Sequence, residues 1–452
     1  MLWLLLSVFL CTCLWAGYLG LRDGIFSPLV LLSAHLVLGV FVRVAFIEEG
    51  GISTPSFFKV LTTKSEFAAD WIVLELTVGL CAVLAGYILA RKKQLSNPPG
   101  PPMLQPHLGA GIVVAAVCWL AFLIGMAAQY GSLLQAFSFL QKRALLFGTE
   151  TILLRALPNV ALPGLAAALY LSRAEGRKFW AAGLVAAAIC HTALLFLTGA
   201  RGASVTHAVV LTVAWLAAKP GRMPRLRLGL RGAGMALIGA PLVIGVVLLG
   251  MTFRLVAQRN LSLSSAWASV SQSAPEVLSG TFNAIDLYAA ARNFAQVHGL
   301  DFGAQYLGYV LRFVPRAVWP DKPLTLGLQM REFYYGDRLS GVPPTVFGEF
   351  YIAGSVFGLI LGCVLFGVLL ALLKRMYDRS HTNPYLASTY AFLLIQLTFG
   401  VVKSGFENSL FTILYYALGA AAVAAVGGMF TSPSRRAALS AGARLGGLEP
   451  GR

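Results

Sequence analysis

Charged residues are scarce in this chain of 452 residues, because Asp, Glu, Lys and Arg together make up 12% of it, about half their share in soluble domains. Hydrophobic residues make up 58%, which is more apolar surface than a water-soluble core uses and which a bilayer accommodates. Two motifs of nucleotide and metal chemistry are also missing, since neither Asp-x-Asp nor GxxxxGK occurs. These features predict an integral membrane protein with no cofactor and no metal.

Cysteine is also infrequent, and all six cysteines fall inside apolar runs, at positions 11, 13, 81, 118, 190 and 363. In such places cysteine acts as a small hydrophobic residue, so we expect neither disulfides nor a metal site. The first twenty residues have no basic region and no small-residue cleavage site. We therefore expect an uncleaved membrane helix there.

The remaining chain is divided into apolar stretches long enough to cross roughly 30 Å of hydrocarbon. This pattern predicts an all-α fold, a polytopic transmembrane bundle of about 11 helices that forms a single integral membrane domain over residues 1–452. The predicted spans are 2–20, 25–47, 68–90, 108–128, 151–172, 179–198, 203–218, 232–252, 346–372, 385–402 and 408–429.

Basic residues give the orientation. With the amino terminus outside, the inner segments hold 19 Lys and Arg and four acidic residues, whereas the rest of the chain holds 16 and 14. This bias is the positive-inside signal, and because it is spread over short loops, the net charge of +17 does not indicate a nucleic-acid partner. The inner segments are Arg22 with Asp23, 91–93, 173–178, 219–231, 374–379 and the tail from Arg435.

One segment, residues 253–345, is too long for a simple connector and contains no spanning run, and the orientation makes it a large, partly helical extracytoplasmic loop. Residues 274–297 are predicted to form one helix, with Pro275 and Glu276 in its first turn. Apolar residues at helical spacing predict a second helix that lies against the membrane interface. These residues are Tyr306, Leu307, Val310, Leu311 and Val314.

Ionisable residues inside spanning helices are costly and therefore informative. They lie in or next to the outer third of their predicted helices, and Arg201 lies in a tight turn between two helices on the same side. Each could snorkel to the interface, but a shared anionic ligand such as a diphosphate explains the set better. These residues are Arg43, Glu75, Arg155, Glu349, Lys403 and Glu407.

Two histidines, His191 and His207, flank Arg201 in the neighbouring helices. The favoured interpretation is that both are buried and hydrogen-bonded within the bundle. The alternative is that one of them acts as a base near a catalytic arginine.

The most specific stretch is Arg-Phe-Val-Pro-Arg-Ala-Val-Trp-Pro-Asp-Lys-Pro at residues 312–323. Its three prolines hold the backbone extended and rigid. Cations beside the fixed plane of Trp319 can bind a phosphate and stack a sugar ring. Composition alone favours an interfacial elbow anchored by Trp319.

The run Pro-Arg-Ala-Val-Trp-Pro-Asp-Lys-Pro at 315–323, late in the outer loop, resembles the Wzy-type oligosaccharide repeat-unit polymerases, the O-antigen polymerase family. The arginine turn at 198–203 and the glycine-rich helix start at 347–358 resemble the same family, so the similarity covers residues 190–370. Members often carry asparagine where this chain has Ala353 and Gly354. Two arginine–glycine pairs eleven positions apart also fit the family, namely Arg292 with Gly303 and Arg316 with Gly327.

The resemblance implies a metal-independent glycosyltransferase that joins polyprenyl-diphosphate-linked repeat units at the outer leaflet, with polyprenyl diphosphate as the leaving group. Arg201, Arg316 and Lys322 would stabilise the departing diphosphate. Asp321 and Glu349 are the candidates for the base, and Asp286 is a weaker third. Of the two, Glu349 at a helix mouth in apolar surroundings is better suited, because Asp321 beside several cations would be a poor base and could instead orient its neighbours through a salt bridge. Substrate binding would fall to Arg312, Trp319, Arg155, Arg43, Arg292 and Arg331.

The implied location is a bacterial cytoplasmic membrane, with the site facing the periplasm or the cell exterior. Membrane lipid, a chain-length regulator and a flippase are the expected partners. A ligase that moves finished glycan to another acceptor is the nearest alternative. A lipid-linked oligosaccharide flippase or transporter would show repeat symmetry and a central polar path, and a structural scaffold would not require the intramembrane arginines.

Overall fold

The computed structural model contains only helices and connecting segments in the part of the chain that it describes. The described residues are 1–22, 27–48, 69–92, 107–132, 152–197, 201–218, 262–274, 283–311, 323–337, 341–380 and 384–430, with short pieces within 245–256 and 318–321. The helices, which we number in chain order, are α1 (Leu2–Leu21), α2 (Pro28–Leu36), α3 (Arg43–Glu48), α4 (Ala69–Lys92), α5 (Leu108–Tyr130), α6 (Ile152–Ala174), α7 (Lys178–Leu197), α8 (Arg201–Ala217), α9 (Leu263–Gln272), α10 (Ala284–His298), α11 (Ala304–Leu311), α12 (Leu326–Tyr335), α13 (Val346–Ser380), α14 (Pro384–Ile395) and α15 (Val401–Phe430). Two π-helical segments, Val37–Val42 and Gln396–Gly400, link α2 to α3 and α14 to α15.

Seven helices among the described residues are long and apolar enough to cross a membrane, so the chain is a helical membrane protein. Six of them coincide with predicted spans, and the seventh, Leu386–Met429, contains both 385–402 and 408–429. The predicted spans 151–172 and 203–218 form α6 and α8, and most of 232–252 lies outside the described residues. The total of eleven helices stays a prediction.

The 44-residue stretch Leu386–Met429 is two antiparallel arms. The Phe392 and Tyr416 rings stack with centroids 4.1 Å apart, whereas a continuous helix would separate them by about 36 Å. The chain reverses at Gly405, whose φ of 76° and ψ of 174° are not helical. This reversal agrees with the predicted division into two spans.

The predicted span 346–372 needs a correction, because α13 is interrupted at Gly354 and Ser355. A Cβ at Gly362 would strike the Phe350 ring, although a continuous helix would place these residues about 18 Å apart. Residues 346–353 therefore fold back as a short helix against the start of the long one. Together with the non-helical residues 341–345, which include the fully buried Thr345, they form a re-entrant segment that enters the bundle and leaves again.

The loop helices return to the same end of the bundle. Helix α10 is buried along most of its length and belongs to the hydrophobic core formed with α1, α2, α4 and α13. The predicted helix 274–297 is confirmed over 284–297, and residues 275–282 lie outside the described part. The second predicted helix is confirmed as α11, and Val314 lies outside the described residues.

Candidate functional site at one end of the bundle

A buried ion pair joins α10 to the membrane helices. Arg43 donates from Nε and Nη2 to Asp286 Oδ2 at 3.0 Å each, and the two side chains are 4% and 1% exposed. Burial raises the pKa of Asp286 to about 6, although the Arg43 guanidinium acts in the opposite direction. Asp286 lies in the first turn of α10, where the helix dipole favours a negative charge.

A second pair of reversed polarity lies two turns further along α10. Arg292 Nε donates to Glu75 Oε1 at 3.1 Å and lies 3.0 Å from Oε2, and Tyr288 Oη donates to Glu75 Oε2 at 2.9 Å. Helix α10 thus supplies a carboxylate to an arginine of the membrane helices and an arginine to a carboxylate of the membrane helices. A one-turn shift of α10 would separate both pairs, so the pairs fix its register.

Glu349 lies in the re-entrant segment and is fully buried. Its Oε2 accepts a hydrogen bond from the Phe406 backbone N–H at 2.8 Å, and its Oε1 accepts one from Tyr309 Oη at 2.9 Å. Phe406 follows the reversal at Gly405, so the carboxylate occupies the first turn of the second arm, where orphan N–H groups favour an anion. A Cβ at Gly405 would lie against Glu349 Oε1 and Pro344 O, which explains why glycine stands there.

We name these five residues, Arg43, Glu75, Asp286, Arg292 and Glu349, the charged end. Neither interfacial snorkelling nor a foreign anion is needed to account for Arg43 and Glu75, because both are buried with partners from the loop. The ligand-binding predictions for Arg43 and Arg292 stay predictions, but each arginine already has a carboxylate partner. A ligand anion would have to compete with that partner.

Arg331, another predicted substrate contact, lies on α12. It forms a bidentate pair with Asp337 at 2.8 Å for both bonds and stacks over the Tyr335 ring at 3.9 Å. The Asp337 hydrogen bonds raise the pKa of Arg331. This arginine is therefore held in place beside an aromatic ring at the end of α12.

The proline-rich stretch is only partly described. Trp319 is half-buried and Asp321 is exposed, whereas Arg312, Arg316 and Lys322 lie outside the described residues. Arg201 is the first residue of α8, and Arg155 lies in the first turn of α6. The side chains of Arg155 and Arg201 lie outside the described part of the structure.

The two histidines are buried and hydrogen-bonded, which matches their favoured interpretation. Trp119 Nε1–H donates to His191 Nδ1 at 3.0 Å, so neutral His191 carries its proton on Nε2 and donates it to His207 Nδ1 at 2.7 Å. By the same reasoning His207 donates from Nε2 to Asn159 Oδ1 at 3.1 Å. We name Trp119, His191, His207 and Asn159 the histidine chain; because every ring nitrogen in it is used, neither histidine is placed to accept a substrate proton.

Several residues at this site gave no signal in the sequence. Tyr288 and Tyr309 could not be distinguished from the other tyrosines, and Gly405 is one of 47 glycines. Asp286 was only a third candidate for the base. The one available signal was the mixture of two opposite charges, Asp286 and Arg292, with small apolar residues in one loop helix.

Among the described residues, no group of three His, Cys, Asp or Glu side chains is arranged as a metal site. Comparison of the chain with known proteins finds no matching family model, no matching curated protein and no matching solved structure.

Proposed function

We propose that this membrane protein is a glycosyltransferase of the Wzy type, which joins polyprenyl-diphosphate-linked oligosaccharide repeat units into a surface polysaccharide. The observation that carries this proposal is the run at residues 315–323, which combines two cations, Trp319 and an exposed Asp321 and stands just before α12 and the re-entrant segment. The acceptor hydroxyl would attack the anomeric carbon of the donor, and polyprenyl diphosphate would leave.

The ion pairs of the charged end and of α12 refine which cations would meet the leaving group. Arg43, Arg292 and Arg331 each have a carboxylate partner in this chain. Stabilisation of the departing diphosphate therefore falls to Arg201, Arg316 and Lys322, with Arg312 and Arg155 in support. Cations placed in advance where charge develops accelerate such a step by lowering its barrier.

The same contacts distinguish between the two candidates for the base. Glu349 is fully buried, and both its oxygens accept hydrogen bonds within the chain, so in this proposal it positions the re-entrant segment. Asp321 is exposed and is the carboxylate that a sugar hydroxyl can reach. We therefore assign the base to Asp321.

The test uses the purified protein in vesicles with one defined polyprenyl-diphosphate-linked repeat unit. We expect a ladder of polymer from the native chain and none from Arg316→Ala or Arg201→Ala. Arg177→Ala is the matched control, since Arg177 forms an exposed pair with Glu175 of little energetic value. A normal ladder from either arginine variant would remove that residue from the mechanism.

The same assay separates the alternatives. A ligase makes no ladder from repeat-unit lipid alone. A lipid-linked oligosaccharide transporter has one observation in its favour, because Gly354 and Gly405 interrupt neighbouring helices, and interrupted helices bind substrates in many transporters. It would move the labelled lipid between leaflets and form no glycosidic bond.

A further inference from the structure

Helix α11 has its polar and apolar faces reversed relative to a helix that borders water. Its inward face carries Gln305 and Tyr309, which donate to the Glu349 carbonyl and carboxylate at 2.8 and 2.9 Å. Its outward face carries Leu307 and Val310, which are 63% and 67% exposed. A surface helix in water places its apolar stripe toward the core, so the outward face of α11 requires an apolar neighbour.

The turn before α11 points a further aromatic residue outward. Phe302 is 83% exposed and has a φ of 51°, a left-handed conformation that is unfavourable for a bulky residue. Asp301 holds this turn, because its carboxylate accepts the N–H groups of Gly303 and Gln305 at 2.9 and 3.2 Å. Within the described structure, the Phe302 ring makes little contact with protein that would offset the cost of exposing it to water.

The face formed by Phe302, Leu307 and Val310 adjoins the membrane-facing surface of the bundle. The Asp301 N–H donates to Ile352 O at 3.1 Å, which joins the turn to the end of the re-entrant segment. The long arm of α13 begins just beyond, and its exposed residues Phe357 and Leu365 lie in a helix that can span the bilayer. The apolar face of α11 therefore stands beside the point where lipid contact begins.

The sequence predicts that α11 lies against the membrane interface; we propose further that Phe302, Leu307 and Val310 insert among the acyl chains of bilayer lipids, with Glu349 held on the inner side of the helix. An interfacial helix with apolar residues on its membrane side binds through buried apolar area. Lipid is favoured over a second copy of the chain, because the face continues the lipid-facing surface of α13. This lipid contact is independent of the glycan chemistry proposed above.

The experiment places the photoreactive residue p-benzoylphenylalanine at position 302, 307 or 310 of the full chain, in vesicles of phosphatidylethanolamine and phosphatidylglycerol. Position 365 on α13 is the lipid-facing control, and position 329, where Gln329 is exposed on α12, is the water-facing control. We expect lipid adducts, detected by mass spectrometry, at 302, 307 and 310 in the yield found at 365. We expect almost no lipid adducts at 329. All five positions are exposed, so the probe meets open space rather than packed protein.

Two results would overturn the proposal. Adduct yields at 307 and 310 that match the water-facing control would show that the face borders water. Cross-linking between two protein chains from 302, 307 or 310, seen as a dimer band, would show that a second copy covers the face.

Discussion

Two regions of the bundle bury polar side chains in different ways. The histidine chain is neutral, and its three hydrogen bonds run in one direction through helices α5, α7, α8 and α6. The charged end instead buries formal charges, and the partners of its membrane residues come mostly from loop helices more than 200 residues away in sequence. In this bundle, neutral groups thus join neighbouring helices. The distant loop helix α10 is instead held by ion pairs, which can form in only one register of that helix.

The difference has an energetic consequence. A neutral chain loses one hydrogen bond when a member is replaced, and the remaining members can reorient. A buried ion pair that loses one member leaves an uncompensated charge, which is far more costly. Substitutions at the charged end should therefore destabilise the protein more than substitutions in the histidine chain.

The largest effect is expected for Gly405→Ala. The new Cβ would collide with Glu349 Oε1 and Pro344 O, and the backbone φ of 76° disfavours alanine, so we expect a loss of more than about 4 kcal/mol in the free energy of unfolding. Denaturant titration of the purified protein in micelles measures it. Gly183→Ala is the control, because no atom lies within 4 Å of a Cβ there; equal stability of the two variants would contradict the reversal at Gly405.

The next effect concerns the Arg43–Asp286 pair. Arg43→Met leaves Asp286 buried without its cation and should cost about 3–5 kcal/mol, whereas the double variant Arg43→Met with Asp286→Leu should recover most of that loss. The same titration on both single variants and the double variant closes a thermodynamic cycle. A double variant that folds and still makes polymer would show that Arg43 is structural, and one that folds without activity would support its predicted contact with substrate.

A smaller effect is expected for Tyr309→Phe, which removes one donor from the buried Glu349 carboxylate. The substitution leaves a buried carboxyl oxygen without its donor, so the loss should be about 1–3 kcal/mol. Tyr18→Phe is the matched control, since Tyr18 is exposed on α1. If both variants unfold at the same denaturant concentration, the Tyr309–Glu349 bond contributes nothing to stability.

The smallest effect is expected in the histidine chain. Trp119→Phe removes the donor to His191 Nδ1 and should cost about 1–2 kcal/mol, with glycan polymerisation unchanged. Trp180→Phe, at an exposed position of α7, supplies the comparison. A loss at Trp119 as large as that of Arg43→Met would remove the distinction between the two regions.

The sequence predicted much of the membrane bundle because the requirement for about 20 apolar residues per span is local. It also identified Arg43, Glu75 and Glu349 as unusual, since a charge inside an apolar run is visible without a structure. It could not identify their partners, because Asp286 and Tyr309 come from a loop that returns to the bundle only after folding. The break at Gly354 and Ser355 was missed for a related reason, since residues 350–372 contain no charged residue and glycine is frequent in this chain.

By itself, the sequence determined that the chain is a helical membrane protein with charges concentrated toward one end of its helices, because both properties follow from the order of apolar and charged residues. Only the tertiary structure decided that Arg43 and Glu75 pair with residues of α10 and that Glu349 caps an interrupted helix. Each of these depends on groups far apart in the chain meeting at a few ångströms, and such distances are set by packing rather than by local pattern.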